Sequence, residues 1–572
     1  YDDDLPPPNA TLTIDGAGKD PVSGWSYARI GQMSRAYHRT QGMGRWVPAG
    51  PGKNWPLHLA ETYVDGPDAT LMSGLPATLA DLSEHAPEIK DHLLAAHGYI
   101  TETISAFPHF KHIAATARQA LKHIQQAEAN APTAIAHRLT AKHQQLGHVL
   151  RIALGIEARA RTEHIWLRPG ESSRIDVEFD PGDAEGAHYS LDLPFGWGLE
   201  GDTITTSGAA HQSDPYRAEY DPIDPPLPRI SVQFDAATVA IPFELPPIIL
   251  PERAAVIAPN AALLNLKSPK RSLSVAVADV SPAGSHVSFD LPEGWDSQTQ
   301  DGGLEISLPD DAQTGLYSLP LYVGSVPAMT EHRIAYDHID PTAYASPANL
   351  MVRVLDVDIP AAKIGYIGSG HDAVADWLRA LGADVSDLTD EQITSDTALA
   401  AFDTVVIGIF ALRFRDGLVS EMPRIREWVE GGGTLLTLYH RPWDNWDPET
   451  IPPRRLEIGQ PSLRWRVTDA AADIAVLEPE HPLLNSPNQI KEEDWAGWVK
   501  ERGLYFAKSW DDAYKPLLSM SDPGEEPLTG SILSADIGKG RHTHCSLILH
   551  HQMANLVPGA FRLMANLITP RK

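Results

Sequence analysis

The sequence predicts a multidomain α and β chain: an N-terminal segment, a helical hairpin or bundle, two β-sandwiches and a C-terminal doubly wound α/β domain. Three observations predict it. At 572 residues the chain is too long for a single hydrophobic core. The spacing of its apolar residues changes from helical, to alternating, to short apolar runs separated by helices. One hexapeptide also recurs at the distance of about one sandwich domain.

Residues 1–76 are rich in Gly, Pro and Trp, with one helix expected over 27–40. In 77–160, Ile89, Leu93, Ala96, Ile100 and Ile104 recur at helical spacing, as do Ile113, Ala117, Leu121 and Ile124. Phe107-Pro108 separates the two runs, because proline disfavours helix in the residue before it. A third helix is expected over 133–159. From His164 the texture alternates: Ile165 and Leu167, then Ile175, Val177 and Phe179, which is the period of a strand. Asp192-Leu193-Pro194-Phe195-Gly196-Trp197 recurs as Asp290-Leu291-Pro292-Glu293-Gly294-Trp295, 98 residues later. Two tandem immunoglobulin-like sandwiches follow from that spacing, over 161–250 and 251–357, joined near the Pro-rich stretch 246–251. Over 358–572, Lys363–Ile367 reads as a short apolar strand that Gly368-Ser369-Gly370 leads into a helix at 371–381. Strands at 404–409 and 433–439, a helix at 422–430, a late strand at 546–549 and a closing helix at 561–567 complete the pattern. Strands alternating with helices imply a parallel sheet covered on both faces.

Composition removes several functions. Asp and Glu number 75 against 46 Lys and Arg, a balance of −29, which opposes binding to nucleic acid phosphates. No apolar run reaches the ~18–20 residues that a membrane span needs. Cys545 is the one cysteine, so neither an intramolecular disulfide nor a Cys-rich zinc site can form. Near-absence of cysteine suits the cytosol and also a bacterial periplasm; a periplasmic or secreted setting is expected over a cytoplasmic one. The chain opens on Tyr1, not Met, and shows no signal peptide, so either a leader was removed or the chain is a processed or trimmed piece.

The segment Ser34-Arg35-Ala36-Tyr37-His38-Arg39-Thr40-Gln41-Gly42-Met43-Gly44 carries the strongest motif, preceded by Asp15-Gly16, Asp20-Pro21 and Gly24-Trp25-Ser26-Tyr27. It resembles the C-terminal part of the PIG-L (LmbE-like) deacetylase domain in its large multidomain form, so 1–76 is expected to be the tail of an α/β domain. Arg35, His38, Arg39 and Gln41 offer donors that suit anionic or sugar oxygens, which makes them substrate-binding candidates. The alternative is that they cap and stitch the domain by hydrogen bonds. The resemblance implies a zinc-dependent hydrolase that removes an acyl group from an amino sugar. In that family zinc activates water and an Asp is the general base. Its Ala-His-Pro-Asp-Asp motif and later His motif are absent from this sequence, and Asp2-Asp3-Asp4 has no His beside it. Zinc is therefore expected for the family with no ligand in this chain, its catalytic half being expected on an N-terminal segment or another chain.

Eight of the 24 histidines crowd residues 92–148, among them His109 and His112, three apart. His-Glu-x-x-His is absent, so polar helix faces explain them better than a metal. The hexapeptide repeat resembles the NEW3 type of sandwich found beside carbohydrate-active domains. The C-terminal domain resembles the class I glutamine amidotransferase-like superfamily, and within it the ThuA-like proteins. Gly431-Gly432-Gly433-Thr434-Leu435-Leu436 leads into Tyr439-His440-Arg441, where an amidotransferase would carry its Cys nucleophile. Cys545 lies far downstream in an apolar strand, so a Cys-dependent amidotransferase is contradicted, and His440 is the candidate residue at that turn. Glu480-His481-Pro482-Leu483, the stretch from Glu493 to Phe506, and Val557-Pro558-Gly559-Ala560-Phe561-Arg562-Leu563 agree with the large PIG-L architecture. His550-His551 is a weaker candidate pair than an ordinary polar strand end. Trp443, Trp446, Trp495 and Trp498 lie near the carboxyl edge of the expected sheet, where they either stack on sugar rings or, more in keeping with tryptophan, weld modules together. The expectation is part of an N-deacetylase acting on an acetylated amino sugar or glycoconjugate. The alternative is a non-catalytic carbohydrate-binding or assembly protein.

Overall fold

The computed structural model describes residues 10–20, 23–41, 54–63, 66, 70–215, 227–300 and 302–571. The Asp2-Asp3-Asp4 cluster, Pro21, and Gly42, Met43 and Gly44 of the N-terminal motif lie outside them. The chain forms two bodies, Tyr1–Glu252 with His332–Ala345, and Arg253–Glu331 with Ser346–Lys572.

In the first body, Leu12–Ile14 pairs antiparallel with Trp55–Leu57. Helix α1 (Tyr27–Arg35) starts where the Ser26 hydroxyl accepts the Arg29 N–H. The helix expected over 27–40 stops at Arg35, and Arg39–Gln41 forms a separate 3-10 turn. Helices α2 (Lys90–Ser105), α3 (Phe110–Glu128) and α4 (Thr133–Ala153) follow. Ile113, Ala117, Leu121 and Ile124 of α3 are all buried, whereas Ile104 of α2 is 72% exposed despite its spacing. Helix α4 is six residues shorter than its periodicity suggests. Gly155 takes φ +70°, a left-handed conformation that ends the helix. The next residues form β1 (Glu157–Thr162), whose Ala158 and Ala160 point inward.

Strands β2 (Ser172–Asp180), β3 (His188–Asp192), β4 (Trp197–Glu200), β5 (Thr203–Thr206), β6 (Arg229–Phe234) and β7 (Ala237–Pro242) complete a sandwich. One sheet runs β1-β2-β5-β4, the other β7-β6-β3. The helices are not a separate layer with their own core. Leu93, Ile124, Leu139 and Leu150 share one buried cluster with Ile175, Ile204, Ile230 and Val232 of the strands. At Gly147 of α4 a Cβ would lie 3.0 Å from Val239 on β7, so the small residue sets that approach.

The second body opens on another sandwich. Its strands are β8 (Ala254–Ala258), β9 (Ala261–Asn265), β10 (Ser272–Ser281), β11 (Val287–Phe289), β12 (Asp296–Gln300), β13 (Gly303–Ser307), β14 (Gly315–Val323) and β15 (Asn349–Leu355). The sheets run β12-β13-β10-β8 and β9-β15-β14-β11. The hexapeptide repeat has one role in both sandwiches: it carries the chain from one sheet to the other, β3 to β4 and β11 to β12. Gly196 and Gly294 take φ +84° and +82°. The N–H of Trp197 donates to Pro194 O, and that of Trp295 to Pro292 O, both at 3.1 Å. A turn with positive φ at its third residue wants glycine there.

The same body continues into a three-layer α/β domain. Its elements are β16 (Lys363–Ile367), α5 (Val374–Leu381), β17 (Asp384–Asp387), β18 (Thr404–Ile407), α6 (Ala411–Phe414), α7 (Leu418–Gly431), β19 (Thr434–Leu438), β20 (Lys515–Pro516), β21 (Ile532–Ile537), β22 (Gly540–Cys545), α8 (Leu549–Ala554) and α9 (Pro558–Leu567). The sheet order is β17-β16-β18-β19-β22-β21-β20, the first five strands parallel. Val406 and Leu436 face one apolar layer with Leu378 and Phe561, while Val405, Ile407 and Leu435 face another with Met422 and Ile425. Both faces are covered, which explains why these strands are continuous apolar runs. The expected strand at 546–549 is displaced: β22 ends at Cys545, and Leu549 begins α8. Buried Asn265 ties the second sandwich to this domain. Its Nδ2 donates to Val357 O and Leu381 O at 2.8 and 2.9 Å, and its Oδ1 accepts Val357 N–H at 3.0 Å.

Candidate functional site

The parallel part of the sheet has the order second-first-third-fourth-fifth, which opens a crevice at its carboxyl edge where the first and third strands diverge. Strand β18 leaves that edge through Gly408-Ile409-Phe410. A Cβ at Gly408 would stand 2.4 Å from the Tyr366 hydroxyl, so only glycine fits. Phe410 takes φ +58° before α6 begins. A non-glycine residue in this conformation between strand and helix is the geometry of a nucleophile elbow. Here it presents a phenyl ring. The strained turn thus lies one strand earlier in the chain than the Tyr439-His440-Arg441 turn singled out from the sequence. Nothing in the sequence around Phe410 announces it.

Strand β19 leaves the edge through Tyr439, His440 and Arg441. His440 turns inward and is fully buried. Its Nδ1 lies 2.7 Å from Leu438 O and therefore carries the proton, leaving Nε2 to accept from the Leu412 N–H at 3.4 Å. Burial pulls its pKa down to about 4, so it is a neutral core imidazole near neutral pH. Asp444, also fully buried, accepts Arg441 N–H at 2.8 Å, Arg441 Nε at 2.9 Å and Arg441 Nη2 at 2.7 Å. Arg413 of α6 stands 3.7 Å from the same carboxylate.

The Arg441 guanidinium lies over the Phe410 ring at 4.3 Å and over Trp443 at 5.5 Å. Phe410 meets Tyr439 edge-on at 5.3 Å, and Trp443 meets Tyr505 edge-on at 5.3 Å. At the other end His371 stacks on Phe414 at 4.3 Å. The result is an aromatic ledge with guanidinium groups set into it. Trp443 is 52% exposed and Phe414 46% exposed. Trp446, Trp495 and Trp498 are instead core residues, with Trp446 donating to Leu456 O at 2.9 Å and Trp498 to Asp494 O at 3.2 Å.

Neither Cys545 nor Tyr439 is an activated nucleophile at the ledge. The Cys545 thiol is buried in β22 and pushed up to about 12 by desolvation. The phenol of Tyr439 is pushed well above its ordinary value by burial and by Tyr505. His550 lies on α8, not at a strand end, and burial lowers it to about 4. Behind the ledge Thr437 bridges two buried imidazoles, at 3.0 Å from His542 Nε2 and 3.0 Å from His544 Nδ1. The Tyr514 hydroxyl closes one end of this chain on His542 and Ser546 the other on His544.

The N-terminal candidates sit in the first body. Arg35 ends α1, His38 lies in the turn after it, and Arg39 and Gln41 belong to the 3-10 turn; all four are exposed. They do not share one helix end. Arg39 alone of them lines an open groove of about 690 Å³, opposite Asp337, His338 and Asp340. In the helical region His112 pairs with Glu102 at 3.0 Å and His143 with Glu128 at 2.8 Å. Among the described residues no three His, Cys, Asp or Glu side chains come together to hold a metal ion. The donor set for a zinc ion is thus not found among them. No helix among the described residues is long and apolar enough to cross a membrane.

No family model matches the chain, and no curated protein matches it. Among solved structures it is similar to a GMP synthase subunit from Thermoplasma acidophilum, at 10% identity and TM-score 0.24, over 37% of this chain and 94% of that one. It is similar to a ThuA-like protein from Bacteroides uniformis at 16% identity and TM-score 0.22, over 36% of this chain and 92% of that one. It is also similar to the exo-beta-1,4-mannosidase Op5Man5 from Opitutaceae bacterium strain TAV5, at 15% identity and TM-score 0.22, over 38% of this chain and 36% of that one.

Proposed function

We propose that this chain is the accessory, sugar-holding part of a zinc-dependent N-deacetylase that acts on an N-acetylated amino sugar or glycoconjugate, with its C-terminal α/β domain working as a binding module. The observation that carries it is the ledge at the carboxyl edge of the parallel sheet. Trp443 offers apolar surface to solvent there, as the C–H face of a pyranose ring requires. The turn with elbow geometry bears Phe410, and the single thiol is buried and protonated. That combination suits holding a ring better than attacking one. The amide-hydrolysing role rests on the resemblance of 15–44, whose Arg35, His38, Arg39 and Gln41 are exposed.

Binding is tested by titrating the full chain with N-acetylglucosamine oligomers and following tryptophan fluorescence and heat. A saturable change that Trp443→Ala abolishes supports the module; no binding by the wild-type chain removes it. Catalysis is tested by acetate release from the same oligomers with added zinc. Release by this chain alone contradicts the assignment of the zinc ligands to another segment or chain. Glycan binding with no release, even when a zinc-bearing partner segment is supplied, favours a non-catalytic carbohydrate-binding protein. Loss of any detected release in His440→Ala, with the thermal midpoint unchanged, would restore a catalytic role to that imidazole.

A further inference from the structure

Two of the helical histidines meet each other across a helix pair. His92 lies in the first turn of α2, and His123 lies in the second half of α3. The core fixes these helices to one another: Leu93 and Ala96 of α2 share one buried cluster with Ala120, Leu121 and Ile124 of α3. A buried hydrogen bond between the Thr103 and Thr116 hydroxyls, 2.8 Å long, ties the same two helices at another point. Both imidazoles are half-buried, each beside a buried leucine or isoleucine of its own helix, so they stand at the rim of the interface. Their ring centroids are 5.6 Å apart, and Tyr99 stacks on His123 at 5.7 Å.

The two Nδ1 atoms are 3.3 Å apart. Only one proton can lie between them, and that distance is long for a hydrogen bond donated by nitrogen. It matches a metal better. Two zinc–nitrogen bonds of about 2.0–2.1 Å, opened to the tetrahedral angle, place their nitrogens about 3.3 Å apart. A square-planar ion would ask for about 2.8–2.9 Å. Desolvation, His92 and Lys122 hold the His123 pKa below its ordinary value, which keeps a lone pair available near neutral pH. Lys122, exposed beside His123, is the charge that opposes a cation here.

We infer that His92 and His123 chelate a zinc ion through their Nδ1 atoms, with water in the two remaining positions. Two protein donors fall short of the three that a resident catalytic ion takes, so the ion is held reversibly and clips α2 to α3. On binding, the proton that one Nδ1 carries moves to Nε2 of the same ring. Both Nδ1 lone pairs then face the ion, and the neutral pair releases no net proton. This inference does not rest on the sugar-binding reading.

The test is titration of the full chain with zinc sulfate, read by hydrogen exchange, and with cobalt chloride, whose tetrahedral complexes absorb in the visible. Zinc should slow exchange of the α2 and α3 amides around His92 and His123, and should displace tetrahedral cobalt. His92→Gln and His123→Gln should each weaken zinc here by about tenfold or more, at least what loss of an outer partner of a metal ligand brings. The double variant should lose no more than either single one, because one lost donor already ends the chelate. Lys122→Gln leaves both imidazoles in place and should tighten zinc about twofold at low salt. His97→Gln, on α2 but outside the pair, should change nothing. Protection or cobalt bands that persist in both single variants place the ion elsewhere and overturn the proposal. Zinc that leaves wild-type exchange in α2 and α3 unchanged overturns it too, as does a cobalt spectrum of octahedral type. If either glutamine variant fails to fold, the wild-type exchange and the Lys122→Gln titration decide.

Discussion

Asp444 holds the ledge in shape. It is a buried carboxylate whose partners are only partly buried, so removing its charge frees Arg441 from its fork and leaves the Arg441 amide with a weaker acceptor. Asp444→Asn keeps the volume and is expected to lower stability by about 2 kcal/mol, below the full cost of breaking a wholly buried pair. Urea unfolding measures it; a midpoint unchanged from wild type would mean that Asp444 is not the anchor. The same variant should weaken any ligand of the ledge, because Arg441 no longer lies flat between Phe410 and Trp443. Part of this was legible in the sequence. The tryptophans near the carboxyl edge could be named, but which one is exposed could not, because Trp443 and Trp446 lie three residues apart on one loop and differ only in which way the turn points them. His440 was named for its position after a strand, yet a strand end and a buried backbone cap look alike in one sequence. Phe410 was missed outright, since a phenylalanine with positive φ leaves no compositional mark.

At the scale of elements, the end of β19, strand β22 and helix α8 draw imidazoles out of water. Burial lowers His440 and His550 to about 4 and His542 to about 3, from an ordinary 6.5, and lowers His544 as well. Above about pH 6.5 neither the folded nor the unfolded chain protonates them, and their contribution to stability is fully present. As pH falls below 6.5 the unfolded chain takes up protons that the fold excludes, so stability declines until the folded values are reached. Asp494 and Glu501, which burial raises, act in the opposite sense, but they are two against four. The urea midpoint of the second body should therefore fall between pH 7 and pH 5, and His542→Gln should flatten that fall. A midpoint constant across this range would contradict the buried imidazoles. The repeated turn makes a sharper comparison. Gly196 and Gly294 share their conformation, but a Cβ at Gly196 would stand 2.5 Å from Ala210 N, while at Gly294 its nearest neighbour is Pro309 at 3.4 Å. Gly294→Ala should cost about 1–2 kcal/mol from the backbone alone, and Gly196→Ala distinctly more. Thermal midpoints of the two variants decide it; equal losses would mean the Ala209–Ala210 segment yields freely. The repeat was legible because a turn dictates its residues. The end of α4 was not, because Glu157-Ala158-Arg159-Ala160-Arg161 alternates like a strand and is also rich in good helix formers, so only Gly155 hinted at the boundary.

At the scale of the whole molecule, apolar periodicity tells which face of an element is buried and not what covers it. The helices α2 to α4 read as a hairpin of their own and the strands after them as a separate sandwich, yet Leu150 and Ile230 belong to one buried cluster. Leu263 and Leu355 of the second sandwich likewise pack in one cluster with Leu378 and Phe561 of the α/β domain, and Asn265 joins them by three hydrogen bonds. Textures and cores therefore do not coincide: the helices and the first sandwich share one core, while the second sandwich keeps a core of its own and still lends Leu263 and Leu355 to the α/β layer, so the units of unfolding should follow the two bodies. Calorimetry of the full chain should show transitions assignable to two bodies and not to five domains. Leu150→Ala empties a fully buried site in the shared helix and sandwich core, a loss of about 2–5 kcal/mol, and should lower one transition by several degrees as a whole. Phe561→Ala, also fully buried, should lower the other by a comparable or larger amount. Hydrogen exchange under the same conditions distinguishes the cases: in Leu150→Ala the amides of α3 and β6 should lose protection together. If α3 lost protection while β6 kept it, the helices would unfold on their own, and the common core would be a contact between two domains instead of the centre of one.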